Sequence, residues 1–493
     1  MERPFTADSK SLNHIENFLG VPISNIDLPV TGLTNASSEV EAGDIFLAFA
    51  GAKTHGANFA QEAHKRGAVA MLTDSEGSRV FNGLPIIVVD NPRRVAGGLS
   101  AWFYGEPMRD LFSVGITGTT GKTPTTTLLH QIWTLAGREA GLIGTVETRI
   151  GKDILASKHT TPESAELQAL VASMKERHVT NLAMEVSSHA IALDRIRGAH
   201  FSIVGFTNLS QDHLDFHSTL EEYFSVKRSL FAFEYAGLAL INIDDSHGMK
   251  LAQNLSIPYQ SLSRKDVTAD WNYVHAIRDK RGYEIAIRGT GGILINSFLP
   301  LLGSFNLDNA LMAIAIACES GVDPLLLETI IPKLTGARGR LEEVFAGQNF
   351  GAYVDYAHTP DAVARVLEAC AERKTGRVIG VLGCGGDRDS SKRPLMGREL
   401  LNGCDIAVFT SDNPRSENPN AILEAMTSGL SLAQPHAVIE DRRKAIAYAI
   451  SQASPGDIVI VMGKGHESGQ EIAGVIHEFD DRAVLAEEIA NLK

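Results

Sequence analysis

FSVGITGTTGKTPTTTLLHQIWTLAG (112–137) passes from an apolar strand pattern through a glycine-rich turn into a helical pattern. The turn is Gly115-Ile-Thr-Gly118-Thr119-Thr120-Gly121-Lys122-Thr123, and its residue types suit one task. Glycines let the backbone curl so that successive N–H groups face phosphate oxygens. Lys122 adds a point charge near the β- and γ-phosphates, and the Thr123 hydroxyl can ligate Mg²⁺. The strict phosphate-loop pattern asks for glycine at 116, where this chain has Ile116, so GTxGKT is a shortened variant. Pro124 follows it, tolerated because a helix start has amide groups without partners anyway.

Outward from this turn, apolar runs alternate with helix-like stretches, which predicts an α/β fold with largely parallel sheets. At 493 residues the chain exceeds one ordinary core, and three units in series are expected: 1–107, 108–337 and 338–493. The first holds strand patterns at 44–51, 68–72 and 86–90, ending at a Gly-Glu-Pro turn at 105–107. The second holds strands at 112–117, 181–186, 201–209 and 238–243. An antiparallel annex follows over 264–297, then a helix at 306–320. The third holds strands at 352–356, 378–383, 405–410, 437–440 and 457–463.

A net charge of −14 argues against broad nucleic-acid binding, which needs clustered Lys and Arg. It leaves anionic ligands open, because backbone amides at a helix start bind phosphate whatever the overall charge. Cys318, Cys370, Cys384 and Cys404 form no CxxC pair, and neither a secretory leader nor a run of about 18 apolar residues is found. A cytoplasmic protein with free thiols, not bound to membrane and monomeric, is expected.

Glu185, in AMEVSSHA, ends a buried-looking strand, and His213, in SQDHLDFH, lies at the end of the next strand pattern. Alone each suits a structural role; together, at neighbouring parallel strand ends, they suit a metal-ordering crevice. Lys227, on a mixed helix, reads from its pattern as a solvated charge. Asn306 and Asn309 resemble a helix start with an N-cap asparagine. In the third unit four polar loops follow strands: Asp355-Tyr-Ala-His358, Gly383-Cys-Gly-Gly-Asp-Arg388, Asp412-Asn413-Pro414-Arg415 and Gly463-Lys-Gly-His-Glu467. Fixed arginines there favour carboxylate ligands, since guanidinium matches them with two parallel hydrogen bonds.

GTTGKT (118–123), HTTP (159–162), MEVSSHA (184–190), DHLDFH (212–217), YFxxKxxLF (223–231), DYAHTP (355–360), GGDRD (385–389), DNPR (412–415) and GKGHE (463–467) occur in one order. In these motifs the chain resembles the Mur ligase family, among its members the UDP-N-acetylmuramoyl-tripeptide synthetases. The resemblance implies an N-terminal UDP-binding domain, a central phosphate-loop ATPase domain and a C-terminal Rossmann-like domain. It implies ATP at 118–124, with Asn306, Asn309, Arg340, Asp355 and His358 closing around the nucleotide. Mg²⁺ is expected on Thr123, Glu185, His213 and Lys227, the last as a CO₂-derived carbamate, which overturns the solvated-charge reading. Ser37, His159, Thr160, Thr161, Ser187 and Arg195 are expected to contact UDP-MurNAc-L-Ala-D-Glu, with Lys122, Lys227, Glu185 and His213 the catalytic set.

By the same resemblance the DNPR arginine, Arg415, implies meso-diaminopimelate as the incoming amino acid. Arg388, Asp412, Asn413, Pro414, Gly463 and Glu467 are its companions. The implied reaction is ATP-dependent amide ligation through an acyl phosphate in peptidoglycan precursor synthesis. The rival readings are the same reaction with lysine or ornithine, another Mur or folylpolyglutamate-type ligase, and a nucleotide-dependent binding module. Four positions depart from the family: Ala36 and Ser38, flanking Ser37 where Asp-Ser-Arg is usual, Pro124 for Thr, and Leu193 where some members have Gln.

Overall fold

The computed structural model describes residues 1–5, 9–22, 26–51 and 53–492, and among these it forms three main sheets. The first is parallel throughout, with strands Gly32–Thr34, Asp44–Leu47, Ala70–Thr73 and Ile86–Val88 in chain order. Gly32–Thr34 escaped the sequence reading because a three-residue strand carries too little alternation to register. The helix Pro92–Phe103, capped by Asn91, packs its Ala96, Leu99 and Phe103 into this unit's core.

The second sheet has eleven strands. From edge to edge they run Asp153–Leu155, Thr148–Ile150, Ala140–Ile143, Asn181–Glu185, Phe112–Thr117, Phe201–Phe206, Ala236–Asn242, Tyr259–Ser263, Trp271–Asp279, Gly282–Arg288 and Leu294–Leu299. Pairing is parallel from Ala140–Ile143 through Trp271–Asp279 and antiparallel at both ends. The expected antiparallel annex is therefore continuous with the parallel sheet, and a second hairpin, at 148–155, closes the opposite edge. Phe112–Thr117 lies at the point where the strand order reverses: the chain steps to one side at 140, returns beside it at 181, and crosses to the other side at 201. Loops leaving the carboxyl ends of such strands diverge and leave a crevice between them.

Two helices seal one face of this sheet. Lys122–Leu135 presents Leu128, Leu129, Ile132 and Trp133, and Phe305–Glu319 presents a nearly continuous apolar run from Ala310 to Ala317. A helix apolar all round is one covered on every side, and this one is wedged between its neighbour helix and the sheet.

The third sheet has the order Glu342–Glu343, Gly351–Asp355, Ile458–Met462, Val378–Cys384, Ile406–Ser411 and Ala437–Val438, with only the first strand antiparallel. The late strand Ile458–Met462 inserts between two earlier ones, giving this sheet its own switch point. All four polar loops singled out in the sequence leave carboxyl ends of its strands.

His130, on Lys122–Leu135, is 6% exposed, and its Nε2 lacks a hydrogen-bond partner. Burial and the neighbouring Arg149 push its imidazole down to about 4. The unfolded chain, with an ordinary histidine pKa near 6.5, takes up the proton first as pH falls, so stability drops below that pH. Between pH 7 and pH 5 this group alone removes about 2 kcal/mol. Denaturant titrations of wild type and His130→Gln at both pH values should differ by that amount; equal losses would reject the assignment.

Candidate functional site

The glycine loop holds its shape through the strand beside it. Thr119 N–H donates to the Asn208 carbonyl at 2.9 Å, and Thr120 N–H to Asn208 Oδ1 at 3.0 Å. Gly121 has φ 84°, and a Cβ there would stand 2.6 Å from Asn309 Oδ1. Lys122 folds back over the loop, its Nζ donating to the carbonyls of Gly118 and Thr119, each at 2.9 Å. Pro124 is the third residue of an unbroken helix, where its missing N–H costs no intrahelical bond.

Asn306 and Asn309 are not helix caps. The helix Phe305–Glu319 starts after Ser304, and both asparagines lie within it. Asn306 Nδ2 donates to the Leu302 carbonyl at 2.7 Å, and Asn309 Nδ2 to Asn306 Oδ1 at 3.0 Å. The pair thus aims Asn309 Oδ1 at Gly121. His213 also differs from expectation: it lies seven residues beyond Phe201–Phe206, at φ 55°, rather than at the strand end.

Lys227 is 1% exposed, so its pattern on a mixed helix misled. Its Nζ donates to the Gly118 carbonyl at 2.8 Å and lies 4.7 Å from the Tyr223 ring centre. Burial, reinforced by the charge of Lys122, pulls its pKa well below the usual lysine range. A neutral amine is the form that reacts with CO₂, so the residue fits a carbamate. Glu185, also buried, accepts from Thr145 N–H at 2.8 Å and Thr145 Oγ1 at 3.0 Å. Burial holds the His213 imidazole down at about 3 against the opposing pull of Asp212, leaving it neutral and able to coordinate.

Among the described residues no cluster of three or more His, Cys, Asp or Glu side chains could enclose a metal ion. Glu185, His213 and Thr123 instead line an open cavity. This donor set fits Mg²⁺, which keeps waters and substrate phosphates among its ligands and seldom takes an all-protein cage.

That cavity, about 600 Å³, brings together most of the predicted residues. Its lining includes Thr119, Lys122, Glu185 and Asn309 from the central unit and Arg340, Asp355 and His358 from beyond 337. His159, Thr160, Thr161, Ser187 and Arg195 form one wall, where Ser187 N–H donates to Thr161 Oγ1 at 3.1 Å and Arg195 Nε pairs with Glu163 at 2.9 Å. Arg388, Asp412, Asn413, Arg415, Gly463 and Glu467, all from the third unit's loops, also line it. Gly118, Lys227, Asn306 and Pro414 stand behind the lining. Ser37 is elsewhere, in a separate hollow of about 300 Å³ beside Phe49, Phe59 and Arg93, its hydroxyl donating to Glu62 at 2.7 Å.

Arg415 has φ 51° and donates through Nη1 to the Gly386 carbonyl at 2.7 Å; its Nε is 3.5 Å from Glu471. Asn413 Nδ2 donates to Glu467 Oε2 at 2.8 Å. Four residues here were not picked out by sequence reasoning. Asp212, 5% exposed, faces His213 at 3.4 Å, Lys392 at 3.5 Å and His358 at 3.8 Å; a hydrogen bond from His358 and the charge of Lys392 help outweigh burial and hold its carboxyl well below the usual range. Lys392 and His358 come from the third unit, so Asp212 joins it to the second. Tyr356 stacks under the Arg340 guanidinium at 4.4 Å, and buried Lys464 bonds Asn413 and Glu467. Asp212 and Lys464 lay inside motifs already quoted; their burial was the missing signal.

The chain matches three family descriptions in sequence: "Mur ligase family, catalytic domain" over 29–104, "Mur ligase middle domain" over 116–317 and "Mur ligase, glutamate ligase domain" over 339–465. It is 44% identical to the UDP-N-acetylmuramoyl-L-alanyl-D-glutamate–2,6-diaminopimelate ligase of Streptomyces coelicolor, over 99% of this chain and 98% of that one. The protein of the same name from Corynebacterium glutamicum is 41% identical, over 96% and 95% of the two chains. A solved structure of a ligase so named superposes with TM-score 0.68 at 32% identity, covering 98% of this chain and 99% of the other. A Thermotoga maritima MurF structure in complex with ADP shares the fold, with TM-score 0.65 at 18% identity over 94% and 96%.

Gly121→Ala tests the loop directly, because the substitution strains φ and crowds Asn309. Calorimetric titration with a non-hydrolysable ATP analogue should show affinity at least tenfold weaker than wild type; undiminished affinity would place the nucleotide elsewhere.

Proposed function

This chain is a member of the Mur ligase family, and from that membership we propose that it joins meso-2,6-diaminopimelate to UDP-N-acetylmuramoyl-L-alanyl-D-glutamate at the expense of ATP. The observation that carries this reading is one cavity lined by both Lys122 and Arg415. Amide ligation needs both. A carboxylate is a poor electrophile, and transfer of the γ-phosphoryl group of ATP onto the dipeptide's terminal carboxylate supplies a leaving group. The free amine of diaminopimelate then attacks the acyl carbon, a tetrahedral intermediate forms, its C–O bond to phosphate breaks with the electron pair leaving on phosphate, and the nitrogen loses a proton to give the amide.

In this scheme the amides of 119–123 and the Lys122 ammonium hold the phosphates and offset charge on the moving phosphoryl group. Thr123, Glu185, His213 and Lys227, the last as its carbamate, are the residues that would hold Mg²⁺, whose chemistry there is to neutralise phosphate charge. Asn309, Arg340, Asp355 and His358 close on the nucleotide. His159, Thr160, Thr161, Ser187 and Arg195 orient the dipeptide, and Ser37 lies at the uridine end. Arg388 and Arg415 take the far carboxylate of the amino acid, with Asn413 and Glu467 beside it, and so turn its amine toward the acyl carbon. Enclosure between the second and third units keeps water from the acyl phosphate. The assigned units are 1–107 for UDP, 108–337 for ATP and 338–493 for the amino acid. The enzyme is taken to work as a cytoplasmic monomer; no helix among the described residues is long and apolar enough to cross a membrane.

Phosphate release with UDP-MurNAc-L-Ala-D-Glu should be fast with meso-diaminopimelate and at least a hundredfold slower, by kcat/KM, with lysine or ornithine. Equal rates would overturn the substrate assignment. Arg415→Ala should raise KM for diaminopimelate by roughly 30-fold or more, the loss of a charge-assisted hydrogen-bonded pair worth about 2–3 kcal/mol. Its ATP affinity should stay within twofold; an unchanged KM for the amino acid would reject Arg415 as its anchor.

A further inference from the structure

Beside the strand exits of the third sheet lies a charge pair that lines neither of the two cavities described above. Arg442, the first residue of the helix Arg442–Ser451, and Asp481, the first residue of Asp481–Ala490, both have side chains with no exposure to solvent. Asp481 takes two bonds from the guanidinium, from Nε at 2.8 Å and Nη2 at 2.7 Å. The guanidinium then reaches away from its partner: Nη1 donates to the Ser411 carbonyl at 3.1 Å, and Nη2 to the Met462 carbonyl at 3.0 Å. Those carbonyls belong to the last residues of Ile406–Ser411 and Ile458–Met462, strands that are not neighbours but flank Val378–Cys384. The next residues along each strand are Asp412 and Gly463, which begin the DNPR and GKGHE loops.

One planar group thus fixes the exit of both loops, spanning a strand that the sheet's own ladder places between them. Above it the loops are cross-tied by Asn413 to Glu467 and by Lys464 to Asn413 Oδ1 at 3.2 Å. A core ion pair needed for stability alone would be satisfied by Asp481. Four of the five guanidinium N–H groups are used here, two of them on these strand ends.

We propose that Arg442, oriented by Asp481, is a positioning residue for the amino-acid pocket, setting the spacing of the DNPR and GKGHE loops before the amino acid arrives. The inference rests on the function proposed above and assigns that pocket's preorganisation to residues it does not contain. A fixed fork matters because its separate nitrogens reach two strand ends in one rigid plane, whereas a single rotatable ammonium nitrogen sets no such span.

Full-length Arg442→Lys and the double variant Arg442→Met/Asp481→Leu are compared with wild type, the second because it leaves no buried charge unpaired. KM for meso-diaminopimelate should rise tenfold or more in the double variant and less in Arg442→Lys. KM for ATP and for UDP-MurNAc-L-Ala-D-Glu should stay within twofold, and kcat within threefold. An amino-acid KM within twofold of wild type, or all three KM values rising together, overturns the proposal. Hydrogen exchange on ligand-free wild type decides the matter even if the variants fail to fold. Amides of 412, 413, 415 and 463–467 should be protected before diaminopimelate is added; fast exchange that slows only with the amino acid also overturns it. Absence of ligation by wild type would instead sink the function proposed above and leave the exchange result standing.

Discussion

Two lysine side chains donate to one carbonyl oxygen: Lys122 at 2.9 Å and Lys227 at 2.8 Å, both on Gly118. Lys227 is buried and Lys122 half-buried; desolvation lowers the pKa of each, helped at Lys227 by the charge of Lys122 and at Lys122 by that of Arg340. Two ammonium groups cannot share one acceptor cheaply, since like charges a few ångströms apart repel, the more so on the buried Lys227 side. An anion arriving above Lys122, or loss of the proton from Lys227, relieves that tension. The phosphate loop, the helix behind it and the paired asparagines are arranged around this pair. The glycine loop supplies the shared acceptor, the apolar helix Phe305–Glu319 excludes solvent, and Asn309 presses Gly121 into its left-handed turn.

The second constraint acts between units. Asp212 from the central sheet meets Lys392 and His358 from the third, and Arg340 reaches back to Thr123 Oγ1 at 3.3 Å. These contacts put the carboxyl ends of two parallel sheets face to face. Each sheet has its own switch point, so each contributes a crevice, and the cavity is the space where the two crevices open on one another. Activation of a carboxylate by a phosphoryl donor and its capture by an amine can share one centre only where two such crevices meet.

Much of this was legible in the chain itself. The strand Phe112–Thr117 was readable to the residue because a buried parallel strand followed by glycines and a helix has few alternative readings. The loops at 355–358, 383–388, 412–415 and 463–467 were found because polar residues after apolar runs mark strand exits. The failures share a cause. Asn306 and Asn309 looked like caps, Lys227 like a solvated charge, and Asp212 drew no notice, because local pattern does not report what lies across the fold. Each is a polar group buried by a distant segment: Asn309 by the loop at 121, Lys227 by the carbonyl at 118, Asp212 by side chains from 358 and 392. His213 was displaced from its expected position by a loop whose length apolar periodicity cannot measure.

The hollow around Ser37, with Arg93 over the Phe49 ring at 4.8 Å, is separate from the large cavity, although an ion pair between Lys158 and Glu39 ties the two neighbourhoods. A ligand seated in the hollow by one end and reaching Lys122 with the other is tethered rather than merely bound. Its reactive terminus is then presented at a local concentration set by the length of the molecule and not by its abundance in solution. A fragment lacking the far end forfeits that advantage even if every contact near Lys122 is kept, so the enzyme can measure its substrate like a caliper, by span as well as by chemistry.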